Sequence, residues 1–150
     1  MITIRPFEER DAEACSKINI ENFLAANQDG EETTRKLVEK NTPEALIEKS
    51  KVRSFFVAED DGEVVGIAGY LKNEFKTLFV KRSCQGRGIG KHLTEHVLRL
   101  LEEQGHEIIF LQASVEGEPF YKQFGFKTTE RKKIDFYGSP RTYIRMERRT

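Results

Sequence analysis

The chain has no tryptophan, only two cysteines and four prolines in 150 residues, and no excess of either charge: 25 Lys and Arg balance 25 Asp and Glu. Two cysteines, Cys15 and Cys84, cannot build the disulfide framework of a small secreted scaffold. A core must hold the fold, and the thiols are expected reduced, in a cytoplasmic protein. Zero formal charge removes the global field that would draw the chain to nucleic acid or an anionic membrane. No apolar run approaches the ~20 residues needed to span a bilayer. Met1-Ile2-Thr3-Ile4-Arg5 reads as a strand, not a targeting segment. No repeat, low-complexity tract or Pro/Ser linker divides the sequence, so residues 1–150 are expected to form one domain.

The pattern is α/β (α+β). Residues 1–6 read as a strand ended by Pro6. Asp11 is a candidate N-cap for a helix to about Ala26, with Ala14, Ile18 and Ala25 near one face. A second helical region breaks at Asn41-Thr42-Pro43, where Thr42 can cap and Pro43 can take the first helical position. Strands at 53–59 and 63–71 meet through Asp61-Gly62, a strong hairpin signal, and a further strand covers about 74–81. A helix carrying Ile89, Leu93, Val97, Leu100 and Leu101 on one face ends at Gly105. A strand at 107–113, a short helix near 116–124 and strands at 126–134 and 141–148 follow, the last two linked through Gly138-Ser139-Pro140.

The stretch with most chemical content is Gln85-Gly86-Arg87-Gly88-Ile89-Gly90-Lys91, between the apolar run Leu78-Phe79-Val80 and the amphipathic helix. Strand, glycine turn and helix together bind phosphate, because glycine lets the backbone approach and the first helical N–H groups and the helix dipole point at the anion. Neither common fingerprint fits. G-x-G-x-x-G fails because its third glycine falls on Lys91, and G-x-x-x-x-G-K-[ST] fails at Gln85 and His92. What remains is Gln85-x-x-Gly88-x-Gly90. About thirty residues on, Phe120-Tyr121-Lys122-Gln123-Phe124-Gly125-Phe126 places aromatics on a short helix that Gly125 ends as a left-handed cap.

The two motifs resemble those of the GNAT superfamily of N-acetyltransferases, whose pyrophosphate turn reads [RQ]-x-x-G-x-[GA] and whose C-terminal part carries F-Y-x-x-x-G-F. The resemblance implies a GNAT fold, a mixed sheet of about seven strands flanked by about four helices and splayed between the strands at 74–81 and 107–113. Acetyl-CoA is implied in that opening, as a co-substrate and without a metal. Its pantetheine arm would pair with the backbone of Leu78, Phe79 and Val80 like an added strand. Its pyrophosphate would meet the turn, which comprises Gln85, Gly86, Arg87, Gly88, Ile89, Gly90 and Lys91, with at most one of the Arg87 and Lys91 side chains touching phosphate. Tyr121 would be the general acid to the leaving thiolate, a role suited to a phenol of pKa ~10, and would also line the cofactor site. Glu74 is the first candidate for the base that deprotonates the amine, on the expectation that it shares a strand face with Lys76, Leu78 and Val80; Glu59 is a weaker one.

The chain departs from the family pattern at Ser114, where Asn often holds the pantetheine, and at Gly117, often Ala. Other features read as structural. Cys84 is a small filler, His92 and His96 lie on a solvated helix face without a third metal ligand, and the basic residues near the C-terminus are balanced by acids elsewhere. Phe136, Tyr137 and Tyr143 either form an aromatic hairpin core or shape an acceptor pocket together with helices at about 11–50. The expected function is acetyl transfer from acetyl-CoA to a small-molecule or peptide primary amine by direct attack in a ternary complex. The alternative is an acyl-CoA-binding regulatory or interaction module on the same fold, against which Tyr121 argues. No nucleic-acid or membrane partner is expected, and pairing of edge strands offers a route to a homodimer.

Overall fold

The computed structural model describes residues 1–26 and 30–150. Its strands are β1 (Ile2–Pro6), β2 (Ser54–Asp60), β3 (Glu63–Leu71), β4 (Glu74–Val80), β5 (Ile108–Ala113), β6 (Lys127–Phe136) and β7 (Ser139–Arg149). The helices are α1 (Ala12–Ala26), α2 (Glu31–Glu39), α3 (Pro43–Ser50), α4 (Ile89–Glu103) and the single-turn α5 (Glu118–Lys122). The strands form one mixed sheet in the order β1-β2-β3-β4-β5-β7-β6, antiparallel throughout except where β4 meets β5. Among the described residues no helix is long and apolar enough to cross a membrane.

Local chemistry sets the connections. Asp61 and Gly62 both adopt positive φ (51° and 82°), as the tight turn between β2 and β3 requires. Thr42 accepts the Ala45 N–H at 3.1 Å and Pro43 opens α3. The last hairpin differs from expectation. Its turn is Tyr137-Gly138 (φ 51° and 89°), and Ser139 and Pro140 already belong to β7. Phe136 faces Ser139 across the turn, so Asp135 and Pro140 form the next, non-hydrogen-bonded pair. The Pro140 nitrogen therefore points away from β6, to a side where β5 has already ended at Ala113 opposite Ile144, and its missing N–H costs no sheet bond.

Helix α4 covers one face of the sheet. Ile89, Leu93, Val97, Leu98 and Leu101 are buried against Val65, Ala68, Phe75, Ile109, Leu111, Ile144 and Met146, with Leu98 taking the place expected for Leu100. Gly66 in β3 permits the close approach: a Cβ there would lie 2.9 Å from Leu93 Cδ1 and 3.2 Å from the Phe79 carbonyl. On the other face Cys15 and Leu46 pack against Phe55, Val57 and Ile67. The face of α1 is more polar than its apolar spacing suggests. Ala25 is exposed, whereas Ser16 and Asn19 are buried, bonded to Asn41 at 2.6 and 3.0 Å. Asp11 does not cap α1. It closes a preceding 3-10 turn by accepting the Glu8 N–H and binds Arg5 through two 2.8 Å contacts.

One irregularity bears on the site. Gly69 of β3 faces Thr77, yet the next residue, Tyr70, faces Phe75, so Lys76 is an extra residue in β4. The bulge reverses the strand's alternation. Glu74 therefore shares its face with Thr77 and Phe79, not with Leu78 and Val80 as simple alternation implied.

Candidate active site

β4 and β5 pair at only two positions, Glu74 with Phe110 and Phe75 with Leu111, and then separate. The wedge between them holds a cavity of about 840 Å³. Leu78, Phe79 and Val80 form one wall, Ser114 and Tyr121 the facing wall, and Gln85, Gly86, Gly88, Ile89, Gly90 and Lys91 the end. The splay expected between these strands is thus present, and most of the sequence-predicted residues converge on it. The Lys81 N–H donates to Val65 O at 2.8 Å, which sets the phase of the β3–β4 ladder. Phe79 and Thr77 are bonded to β3 in the same phase, so the backbone groups that face the wedge belong to Leu78 and Val80.

In the turn, Gly86 and Gly88 have φ of 83° and 81°, a conformation costly to any residue with a Cβ. Gly90 has no such demand; its Cβ would make ordinary contacts with Val80 and Phe120 at 3.7 and 3.8 Å. The first intrahelical bond of α4 runs from the His92 N–H to Gly88 O. The N–H groups of Ile89, Gly90 and Lys91 precede it and lie at the positive end of the helix dipole. The two cations of the turn are placed differently. Lys91 lines the cavity, whereas Arg87 is bound to Asp60 at 2.8 Å, and Asp60 also holds the N-terminal amine at 3.1 Å. Gln85 uses its side-chain amide within the protein, donating to Asn22 Oδ1 at 3.0 Å and to Val80 O at 3.2 Å.

Tyr121 sits where α5 meets the wedge. Its ring meets Phe75, Phe120 and Phe126 edge-on, with centroids 6.0, 5.1 and 6.3 Å away. Burial pushes its phenol up to about 12. α5 is anchored by Glu118, which is buried and accepts from Arg131 at 2.7 Å and from Thr128. These hydrogen bonds, Thr128 first, hold the Glu118 carboxyl below its usual range. Ser114 Oγ accepts the Gly117 N–H at 3.1 Å and so closes the turn into α5; its proton stays available to a ligand in the cavity it lines. A side chain at Gly117 would meet Ser114 Oγ at 3.3 Å and the Tyr121 ring at 3.5 Å.

Glu74 is at the apex of the wedge, opposite Phe110, on the face of the sheet that carries Phe79 and packs against Leu46 of α3. Its carboxylate is 17% exposed and lies 3.5 Å from Lys76 Nζ; it is not part of the cavity wall. Glu59 is bound by Arg5 at 2.7 Å on the β1–β2 ladder, which removes it from the site. His96 packs edge-on against Phe56 at 4.9 Å and accepts from Arg99, and burial lowers its pKa. Both cysteines are buried and unpaired, and Cys84 lines the cavity near the turn.

A second cavity of about 670 Å³ adjoins the first. Phe23, Gln112, Ser114 and Tyr143 line both, while Glu116 and Arg141 belong to the second alone. It lies at the end of α1 and the start of β7, within the region expected to receive an acceptor; residues 27–29 of that region lie outside the described residues. Asn22, Phe23, Gln112 and Tyr143 also line the first cavity, yet none belongs to a local sequence motif. Only Tyr143, as one of an aromatic trio beside the last turn, carried any signal.

Residues 20–148 match the sequence model of the acetyltransferase (GNAT) domain. A peptidyl-lysine N-acetyltransferase of Salmonella typhimurium, YjaB, is 35% identical over 81 residues, 54% of this chain and 54% of that protein. The chain thus spans about half the length of the curated relatives it matches. The crystal structure of a GCN5-related N-acetyltransferase from Rhodopseudomonas palustris superposes with a TM-score of 0.86 at 20% identity, covering 99% of this chain and 95% of that one. The PaiA N-acetyltransferase of Thermoplasma acidophilum, in complex with coenzyme A, superposes with a TM-score of 0.78 at 23% identity, over 100% and 99% of the two chains.

Proposed function

Because the chain belongs to the GNAT acetyltransferase family, we propose that it transfers an acetyl group from acetyl-CoA to a primary amine by direct attack in a ternary complex. The observation that carries this reading is the single wedge that joins the glycine turn to Tyr121 past the free edge of β4. The turn's N–H groups meet the pyrophosphate, and the Leu78 and Val80 backbone meets the pantetheine. An N–H of that edge polarises the thioester carbonyl as negative charge develops on its oxygen. The amine nitrogen forms the new C–N bond while the C–S bond breaks. Tyr121 donates its proton to the departing sulfur, the new amide nitrogen releases its surplus proton to solvent, and the phenol is restored from solvent; held near 12, it is fully protonated for that task at neutral pH.

The amine must arrive neutral. Glu74, at the apex of the wedge, is the candidate that takes its proton, through water because the carboxylate stands outside the cavity wall. The second cavity is the acceptor's route, with Phe23 and Tyr143 common to both sites. The Salmonella relative is named for peptidyl-lysine, so a lysine ε-amine in a peptide is the first acceptor to test.

Thermal unfolding with acetyl-CoA, CoA, NAD and ATP in parallel tests the cofactor. A ligand specific to the folded state stabilises by about RT ln(1 + [L]/Kd), several kcal/mol at a thousandfold excess. A rise with CoA or acetyl-CoA alone, followed by amine-dependent thiol release, is the expected result. A CoA response without thiol release across lysine peptides, polyamines and amino acids would favour the binding module. No CoA response would end the reading.

A further inference from the structure

We propose that Asn22 is a positioning residue for the cofactor: with Gln85 it closes the Val80 carbonyl to the pantetheine arm and ties the glycine turn to the edge of β4. The proposal rests on the reading of the wedge as a coenzyme A site.

Three side-chain hydrogen bonds form a closed ring. Asn22 Nδ2 donates to Val80 O at 3.0 Å, Gln85 Nε2 donates to Asn22 Oδ1 at 3.0 Å, and Gln85 Nε2 donates again to Val80 O at 3.2 Å. The second Asn22 hydrogen goes to Ile18 O, one turn back in α1, at 2.8 Å. The oxygen and both amide hydrogens of Asn22, and both amide hydrogens of Gln85, are therefore committed in one sense only. Turning the Asn22 amide over would set its oxygen against two carbonyls and its NH2 against that of Gln85.

Two consequences follow. A carbonyl oxygen has two lone pairs, and Val80 has spent both. Of the backbone groups that face the wedge, this leaves Leu78 N–H, Leu78 C=O and Val80 N–H, two donors and one acceptor, for an amide-bearing arm. The second consequence is mechanical. Gln85 begins the turn, so fastening it to Val80 through Asn22 sets the distance between the strand edge and the phosphate-binding N–H groups. Neighbouring residues of α1 reinforce the attachment: Glu21 accepts the Arg82 N–H at 2.8 Å, and Phe23 packs on Phe79 at 5.2 Å. A spacer held at fixed length matters because a pantetheine arm and its pyrophosphate must engage both ends at once.

The test is CoA titration by calorimetry with the wild-type chain, Asn22→Ala, Asn22→Asp, Gln85→Ala and the Asn22→Ala/Gln85→Ala double variant, alongside acetyl-CoA kinetics. Each single variant should raise the Kd for CoA about tenfold, the loss appearing in KM more than in kcat. The double variant should be weaker than either single by no more than about threefold, because the two side chains act through one closed ring that either single variant already opens. Asn22→Asp still accepts from Gln85 but cannot donate to Val80, and should behave as Asn22→Ala. Wild-type affinity in Gln85→Ala or Asn22→Asp, or fully additive losses, would overturn the proposal. Should the Asn22 variants lose their fold by circular dichroism, Gln85→Ala decides alone, since Gln85 is exposed. A wild-type chain that binds no CoA would refute the cofactor reading itself, which the variant series cannot be confused with.

Discussion

The ring of Tyr121 meets that of Phe75 edge-on at 6.0 Å, and Phe75 is the last residue of β4 still paired with β5. The aromatic pair therefore stands at the vertex where the sheet opens. The point where the strands separate and the residue expected to protonate the leaving sulfur thus meet in one packing contact.

Tyr121→Phe keeps that contact and removes only the hydroxyl. Thiol release should fall about 10²-fold or more, the typical contribution of a general acid, while CoA affinity and the melting temperature hardly change. Equal turnover in the two proteins would remove Tyr121 from the chemistry.

Two buried groups make the fold sensitive to alkali. Burial pushes the Cys15 thiol from about 9.0 and the Tyr121 phenol from about 10.0 up to about 12. Above pH 9 the unfolded chain loses a thiol proton that the folded chain keeps, and above pH 10 a phenol proton as well. Both folded pKa values are raised, so the stability is fully present below pH 9 and is lost as the pH climbs toward 12, by up to about 1.4 kcal/mol per pH unit for each group. Urea midpoints measured from pH 8 to 10.5 should fall for the wild type and fall less for Cys15→Ala.

The glycines of the turn are not equivalent. Gly88→Ala forces a Cβ into φ +81° and should cost about 1–2 kcal/mol and weaken CoA binding. Gly90→Ala meets only ordinary contacts and should be tolerated on both counts. Denaturation curves and CoA titrations of the two variants check this; similar losses in both would mean that space, not backbone conformation, limits the turn.

Lys91 and Arg87 separate in the same way. Lys91→Ala should raise the KM for acetyl-CoA and flatten its dependence on ionic strength, since an exposed cation beside a phosphate acts through a screened field. Arg87, half exposed and engaged with Asp60, should matter little to KM when replaced by Ala. A reversed order would show that the Asp60 pair opens when the cofactor binds.

How much could be read in advance depended on the range of the interactions involved. Asp61-Gly62, Thr42-Pro43, Gly88 and Gly125 were legible because a turn or cap is decided by the φ of one residue and a hydrogen bond a few positions away. The same holds for the glycine turn from Gln85 to Lys91 that leads from β4 into α4. The Lys76 bulge was not legible: a register slip is settled by the partner strand, and with it the face on which Glu74 lies. Nor could spacing show that Ser16 and Asn19 are buried, because their partner, Asn41, is more than twenty residues away. Asn22 meets Val80 and Gln85 across 58 and 63 residues, and Arg87 meets Asp60 across 27. The sequence by itself determined which segment could bind a phosphate, since backbone freedom and helix polarity are local properties. Only the tertiary structure decided which side chains reach that segment and which are already engaged, because that depends on the docking of α1 and the β2–β3 hairpin against the end of β4.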